Sequence, residues 1–131
     1  MAPDEKSKTR RRKQMLVIKV WCLPAEQTEE ELHRLHESLV AIIVSYPELG
    51  VAGESGMLNL FPSDRMHYGL GSEIFVEVSC LFDSPRLNDE VLNLLAEDLG
   101  KTVKGFYPAA RVQCLVPTVS RREVGFWSSN H

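Results

Sequence analysis

The residues most able to do chemistry are few and scattered. Cys22, Cys80 and Cys114 are odd in number and far apart, and each lies inside an apolar run. No CxxC or Cys/His spacing of the kind that builds a zinc site joins them, so they read as buried free thiols of a reducing compartment. His33 and His36 fall on one helix face and could pinch a metal, but no third ligand is in view. Two histidines on a charged, solvated helix are the plainer reading, and no metal or cofactor is expected. Asp83 stands just ahead of Ser84-Pro85. It is either a general acid or base with a perturbed carboxyl, or an aspartate favoured by the positive end of the helix that follows. Arg86 and Arg111 could offer positive charge to an anionic ligand, although both also suit a solvated surface.

Charge is unevenly spread. Lys6, Lys8, Arg10, Arg11, Arg12 and Lys13 crowd into residues 1–14, where no large apolar residue follows Met1, while the whole chain carries a net charge of −3. The segment reads as a basic arm ahead of a domain spanning residues 15–131. A nuclear-targeting or RNA-touching arm is the sharper alternative, but the acidic remainder gives no reason to expect nucleic acid as a partner. The chain of 131 residues, 44% hydrophobic and 25% charged, has the size and balance of one globular domain. No apolar run reaches the roughly 20 residues a spanning helix needs, and the N-terminus has no apolar signal core. The expectation is a cytoplasmic protein, with export lacking a signal peptide or nuclear entry through the arm as the alternatives, and no membrane partner.

Around these residues the elements read in a regular order. Met15 to Leu23 is rich in β-branched and aromatic residues and stops at Pro24, which predicts a first strand. Thr28 and Glu31 form a capping-box pattern, and Leu32, Leu35, Leu39, Val40 and Ile43 recur at helical spacing up to Tyr46-Pro47. Strands are predicted over Met57–Phe61, Glu73–Phe82 and Arg111–Val116. A second helix carries Leu87, Val91, Leu92, Leu95, Leu99 and Val103, capped at Ser84-Pro85 or at Asn88, with Gly105 just beyond its end. Strand, helix, strand, repeated once, gives an α+β fold of two βαβ units with both helices on one face of a four-stranded sheet.

The two-residue period of strands then sorts the sheet faces. Leu16, Ile18, Val20 and Cys22, Leu58 and Leu60, Ile74 to Phe82 at alternate positions, and Val112, Cys114 and Val116 are expected under the helices. The other face would hold Val17, Lys19, Trp21 and Leu23, Met57, Asn59 and Phe61, Phe75, Glu77, Ser79 and Leu81, and Arg111, Gln113 and Leu115. That set is too apolar for water and too polar for a dry core. It suits an interface between subunits.

The stretch PSDRMHYGLGSEIFVEVSCLF, residues 62–82, resembles a segment of the macrophage migration inhibitory factor (MIF) branch of the tautomerase superfamily without a gap. Pro62, Met66, Tyr68, Gly69, Ser72-Glu73 and Ser79 carry the match. Arg111-Val112 at the last strand and Val124-Gly125-Phe126 near the end resemble it too, so the likeness covers about Met15 to Trp127. The resemblance implies a tautomerase/MIF-like fold assembled as a homotrimer, and a keto-enol proton shift on a small carbonyl acid such as a phenylpyruvate. The base implied is an N-terminal proline with a free amine. An α-amino group titrates near 8, much closer to neutrality than a lysine, which suits it to take a proton from carbon.

At that position this chain has Met15, or Leu16 if the register slips by one, and fourteen residues stand ahead of Met15. Where the resemblance implies a carboxylate-holding lysine the chain has Val51, with Glu48 and Glu54 near. The remaining pocket positions fall on Phe82 and Asp83, on Gln113 and Leu115, and on Val124, which alone keeps its pocket-wall identity. Two functions follow: a tautomerase, an intramolecular isomerase, acting through a processed N-terminus or substitute base, or a non-catalytic trimeric interaction protein on a degenerate site. The partners implied are further copies of the chain and a small carbonyl acid or a protein.

Overall fold

A computed structural model describes residues 15–62, 72–119 and 127. In chain order the elements are β1 (Leu16–Trp21), α1 (Glu29–Val44), β2 (Met57–Leu60), β3 (Glu73–Ser79), α2 (Asp89–Phe106) and β4 (Arg111–Leu115). Short 3-10 turns at Pro47–Leu49 and Glu54–Gly56 lie between α1 and β2. The sheet order is β2-β1-β3-β4. β1 and β2 are parallel, as are β3 and β4, and the two βαβ halves meet along the antiparallel pair β1 and β3.

Each helix starts where a side chain satisfies an orphan amide. Thr28 Oγ1 accepts from the Glu31 N–H at 3.1 Å, and Asn88 Oδ1 accepts from the Val91 N–H at 2.9 Å. Of the two caps expected for the second helix, Asn88 is therefore the one used, and Ser84 caps only a local turn by accepting from the Arg86 N–H. Gly105 was expected beyond the helix end but lies within its last turn. The chain leaves the helix at Tyr107, whose N–H still reaches Val103 O.

Leu35, Leu39 and Ile43 on α1 and Leu95, Leu99 and Val103 on α2 are fully buried against Ile18, Val20, Val76 and Val78 of the two central strands. Spacing of four residues puts each trio on one helix face. Each such side chain contributes about 1.5 to 3 kcal/mol relative to exposure. At Gly100 on α2 an added Cβ would lie 3.6 Å from Cys114 Cβ of β4, an ordinary contact.

The face assignment needs three corrections. Leu16 pairs with Met57 and Ile18 with Asn59 in the parallel β1/β2 register, so Met57 and Asn59 share the helix-covered face. Leu58 and Leu60 point to the open face, each 40% exposed. A strand of four residues reading Met-Leu-Asn-Leu has no alternation that distinguishes its faces, and the register decides. The other two corrections share a cause. Cys22 and Cys80 follow β1 and β3 with positive φ of 73° and 63°, in the left-handed region that non-glycine residues rarely adopt. That step breaks the alternation, so Leu23 and Leu81 turn inward and are buried while both cysteines are only half-buried.

The open face keeps the mixed character expected of it, with Leu58 and Leu60 in place of Met57, Asn59, Leu23 and Leu81, and with Phe61 packed against the core. Trp21, Leu58, Leu60 and Leu115 are exposed there, with Val17 and Phe75 half-buried. Across its middle, Lys19 pairs in register with Glu77, the Trp21 indole N–H donates to Glu77 Oε1 at 3.3 Å, and Lys19 Nζ lies 5.9 Å from the Trp21 ring. Among the described residues no helix is long and apolar enough to cross a membrane.

Candidate functional site

The register brings three chain segments to one end of the sheet. β1 and β3 are antiparallel with Val17 opposite Ser79, so the exit of β3 returns beside the start of β1. β2 is parallel to β1 with Met57 beside Leu16, so the loop entering β2 arrives at the same end. Between them is a cavity of about 630 Å³ walled by Met15 and Leu16, by the loop from Glu48 to Ala52 with Ser55 and Gly56, and by Cys80 to Phe82 with Ser84, Arg86 and Leu87.

Its loop wall is shaped by backbone needs. Gly50 closes the first 3-10 turn with φ of 68°, its N–H donating to Pro47 O, a conformation that favours glycine. Gly56 packs against Val51, where an added Cβ would lie 3.3 Å from Val51 Cγ1. The wall is fastened to α1 and β2 through His36, whose Nδ1 is 2.9 Å from Asn59 Nδ2 and whose Nε2 is 3.5 Å from Glu54 Oε1. His33 is 2.9 Å from Glu37 on the same helix. The two histidines thus have carboxylate and amide partners, and no metal-holding cluster occurs among the described residues.

Of the site residues expected from sequence, Met15, Val51 and Phe82 meet in this cavity. Asp83 is exposed and off its wall, and its N–H donates to Val119 O at 2.9 Å, beside the bridge between Phe82 and Val119. Nor does it start a helix, since α2 begins at Asp89. Gln113 and Leu115 are exposed on β4, with β3 between them and β1, and they do not line the cavity of their own chain. Val124 lies outside the described residues. Arg86 is at the cavity, whereas Arg111 opens β4 at the opposite sheet edge.

Cys80, Ser55, Ser84 and Leu87 were not foreseen as wall residues. Strict alternation hides Cys80 under the helices, and only its left-handed backbone turns it toward the cavity. None of the three cysteines is in a disulfide, and burial pushes the Cys114 thiol up to about 11.

A second hollow of about 420 Å³ lies at the other end of the helix layer, bordered by Gln27, Glu31, Arg34 and Gly105 to Tyr107. The Tyr107 hydroxyl donates to Gln27 Oε1 at 2.8 Å, and burial, then the Glu31 charge, raise its pKa. It contains no nucleophile facing a base.

Chemically, the larger cavity has a lining of mixed polarity, and among the described residues it carries one cation, Arg86, on the β3–α2 side and one carboxylate, Glu48, on the α1–β2 side. Met15, just ahead of β1, is part of its wall. There the backbone nitrogen is that of Met15, acylated by Gln14.

No family profile and no curated protein matches the sequence. Solved structures do. Native fused 4-OT aligns over 84% of this chain and 91% of its own, with a TM-score of 0.66 and 20% identity. A fused 4-OT solved as an asymmetric trimer aligns over 88% and 94%, with a TM-score of 0.64 and 15% identity. Macrophage migration inhibitory factor of Toxoplasma gondii aligns over 86% and 95%, with a TM-score of 0.58 and 13% identity. The fold is that of the tautomerase superfamily. Within it the arrangement is MIF-like: two βαβ units in one chain, a four-stranded mixed sheet and two helices on one face.

Proposed function

We propose that the chain is a self-assembling tautomerase-fold protein, a homotrimer packed through its open sheet face, whose cavity receives a small ligand without amine-catalysed proton transfer. Two observations support the assembly. The face holding Trp21, Leu58, Leu60 and Leu115 is too apolar to be left in water, and fused 4-OT proteins of the same fold have been solved as trimers. In such an assembly Gln113 and Leu115, which miss their own cavity, face a neighbouring copy.

The loss of chemistry rests on one observation. The nitrogen just ahead of β1, at the wall of the cavity, is the amide of Met15. An amide lone pair is delocalised into its carbonyl and does not take a proton from carbon at neutral pH. The rest of the cavity supplies no substitute clamp in the loop, where Val51 and Glu48 stand. A carboxylate near that side meets repulsion rather than a cation. The protein therefore acts through binding and interaction.

A second reading is a tautomerase freed by processing, and it is favoured by the placement of Met15 itself at the cavity. A chain cut before Met15 would present a primary amine there. The tautomerase-fold protein Pt0534 has been solved after inactivation by 2-oxo-3-pentynoate, an alkyne conjugated to a ketone that captures nucleophiles. Treating this chain, purified from its native source, with the same reagent and mapping its peptides separates the readings. No adduct on the nitrogen of residue 15 is expected. An adduct there would overturn the non-catalytic reading in favour of processing.

A further inference from the structure

We infer that the ligand of this cavity is a small dipolar molecule, an apolar body with an anionic group at one end and a protonated amine at the other, seated between Arg86 and Glu48. The inference rests on reading the cavity as a ligand site, but not on the loss of the base.

Two features carry it. The first is the placement of charge. Among the described residues the wall holds one cation, Arg86, on the segment after β3, and one carboxylate, Glu48, on the loop before β2. They do not pair with each other, and neither has an ion pair among the described residues. The apolar side chains of Leu49, Val51, Phe82 and Leu87 line the same recess, whose volume of about 630 Å³ is within the range that takes small ligands whole. A molecule that bridges the two sides meets a complementary charge at each end and buries apolar surface between them.

The second is that hydrogen-bonded turns carry both charges. Glu48 lies in the 3-10 turn Pro47–Leu49, where the Leu49 N–H donates to Tyr46 O and the Gly50 N–H to Pro47 O, each at 3.1 Å. Tyr46 in turn donates its hydroxyl to Asp98 of α2. On the other side, the Leu87 N–H donates to Ser84 O at 2.9 Å and the Arg86 N–H to Ser84 Oγ at 3.2 Å. Ser84 Oγ accepts in that contact, which leaves its own proton to give to an anion held by Arg86. The backbone under each charge is set before a ligand arrives, so less ordering is lost on binding.

Charge then separates the ligand classes. A monoanion gains at Arg86 and is opposed by Glu48, a lone amine meets the converse, and the dipolar molecule gains at both. Arg86 is exposed and Glu48 half-buried, so each gain is modest.

The test uses the full chain, isotope-labelled for nuclear magnetic resonance, with dissociation constants read from the amide shifts of Val51 and Leu87. The probes are para-(aminomethyl)phenylacetate, para-ethylphenylacetate and para-ethylbenzylamine, which share one ring and present both charges, the anion alone and the cation alone. The dipolar probe is expected to bind roughly fivefold more tightly than either of the others, a difference of about 1 kcal/mol. Glu48→Gln should abolish its advantage over para-ethylphenylacetate, and Arg86→Gln its advantage over para-ethylbenzylamine, with circular dichroism unchanged in both variants. Equal affinity of the wild type for the dipolar probe and either single-charge probe would overturn the inference while leaving the cavity a ligand site, as would a preference that survives Glu48→Gln. If no probe moved those amides, the reading of the cavity as a ligand site would fall with it. Neither result touches the missing base, which is read from phenylpyruvate turnover.

Discussion

Leu16 and Met57 stand opposite each other in the parallel β1/β2 pair, and this one register decides which face of the sheet is greasy. It turns Met57 and Asn59 under α1 and leaves Leu58 and Leu60 outside, next to Trp21 and across from Leu115. The consequence is a broad apolar face on a chain whose core is already complete without it.

Replacing both Leu58 and Leu60 with lysine should therefore disperse the assembly and leave the fold intact. Light scattering coupled to size exclusion is expected to show a threefold fall in mass, while helical circular dichroism is unchanged. Leu39→Ala, in the core, should do the reverse: lose about 2 to 5 kcal/mol of stability without first changing the association of the folded fraction. A double lysine variant that stays at the wild-type mass would remove the sheet face as the interface.

Gly100 offers a test of how α2 packs. The space beside it is enough for a methyl group at ordinary contact with Cys114, and glycine is a poor helix former. Gly100→Ala should raise stability by about 0.5 to 1 kcal/mol in urea unfolding. A loss would mean that α2 sits closer to β4 than described.

Cys114 should give the fold a specific weakness to alkali. Burial raises its thiol from 9.0 to about 11, so the unfolded chain ionises first. Stability linked to this group is fully present below about pH 9 and falls as pH rises from 9 toward 11. Cys114→Val should flatten that part of the melting-temperature profile. In the native protein at pH 8 the same thiol should resist alkylation by iodoacetamide, and it should react at once in urea.

Much of this architecture was legible in the residues. The Thr28 and Asn88 caps, the Leu35–Leu39–Ile43 and Leu95–Leu99–Val103 stripes and the alternation in β1 and β3 are local signals, and each led to the element observed. What stayed hidden depended on partners or on backbone dihedrals. Four residues cannot announce the faces of β2 until Leu16 is set beside Met57. Nothing in a cysteine foretells a left-handed φ, so the inward turn of Leu23 and Leu81 and the cavity position of Cys80 could not be read. Of the residues named for the site, Met15, Val51 and Phe82 line one cavity. Gln113 and Leu115 do not line it, because β4 is an edge strand separated from β1 by β3.

The most direct measurement is the enzyme-dependent ketonisation rate of phenylpyruvate, followed by ultraviolet absorbance, with protein whose N-terminus is confirmed by mass to lie ahead of Met15. The expected rate equals that of buffer alone, and it stays there when Val51 is changed to lysine to restore a clamp. A rate that rises in proportion to the concentration of this extended chain would contradict the account, since some other group in the cavity would then be moving the proton.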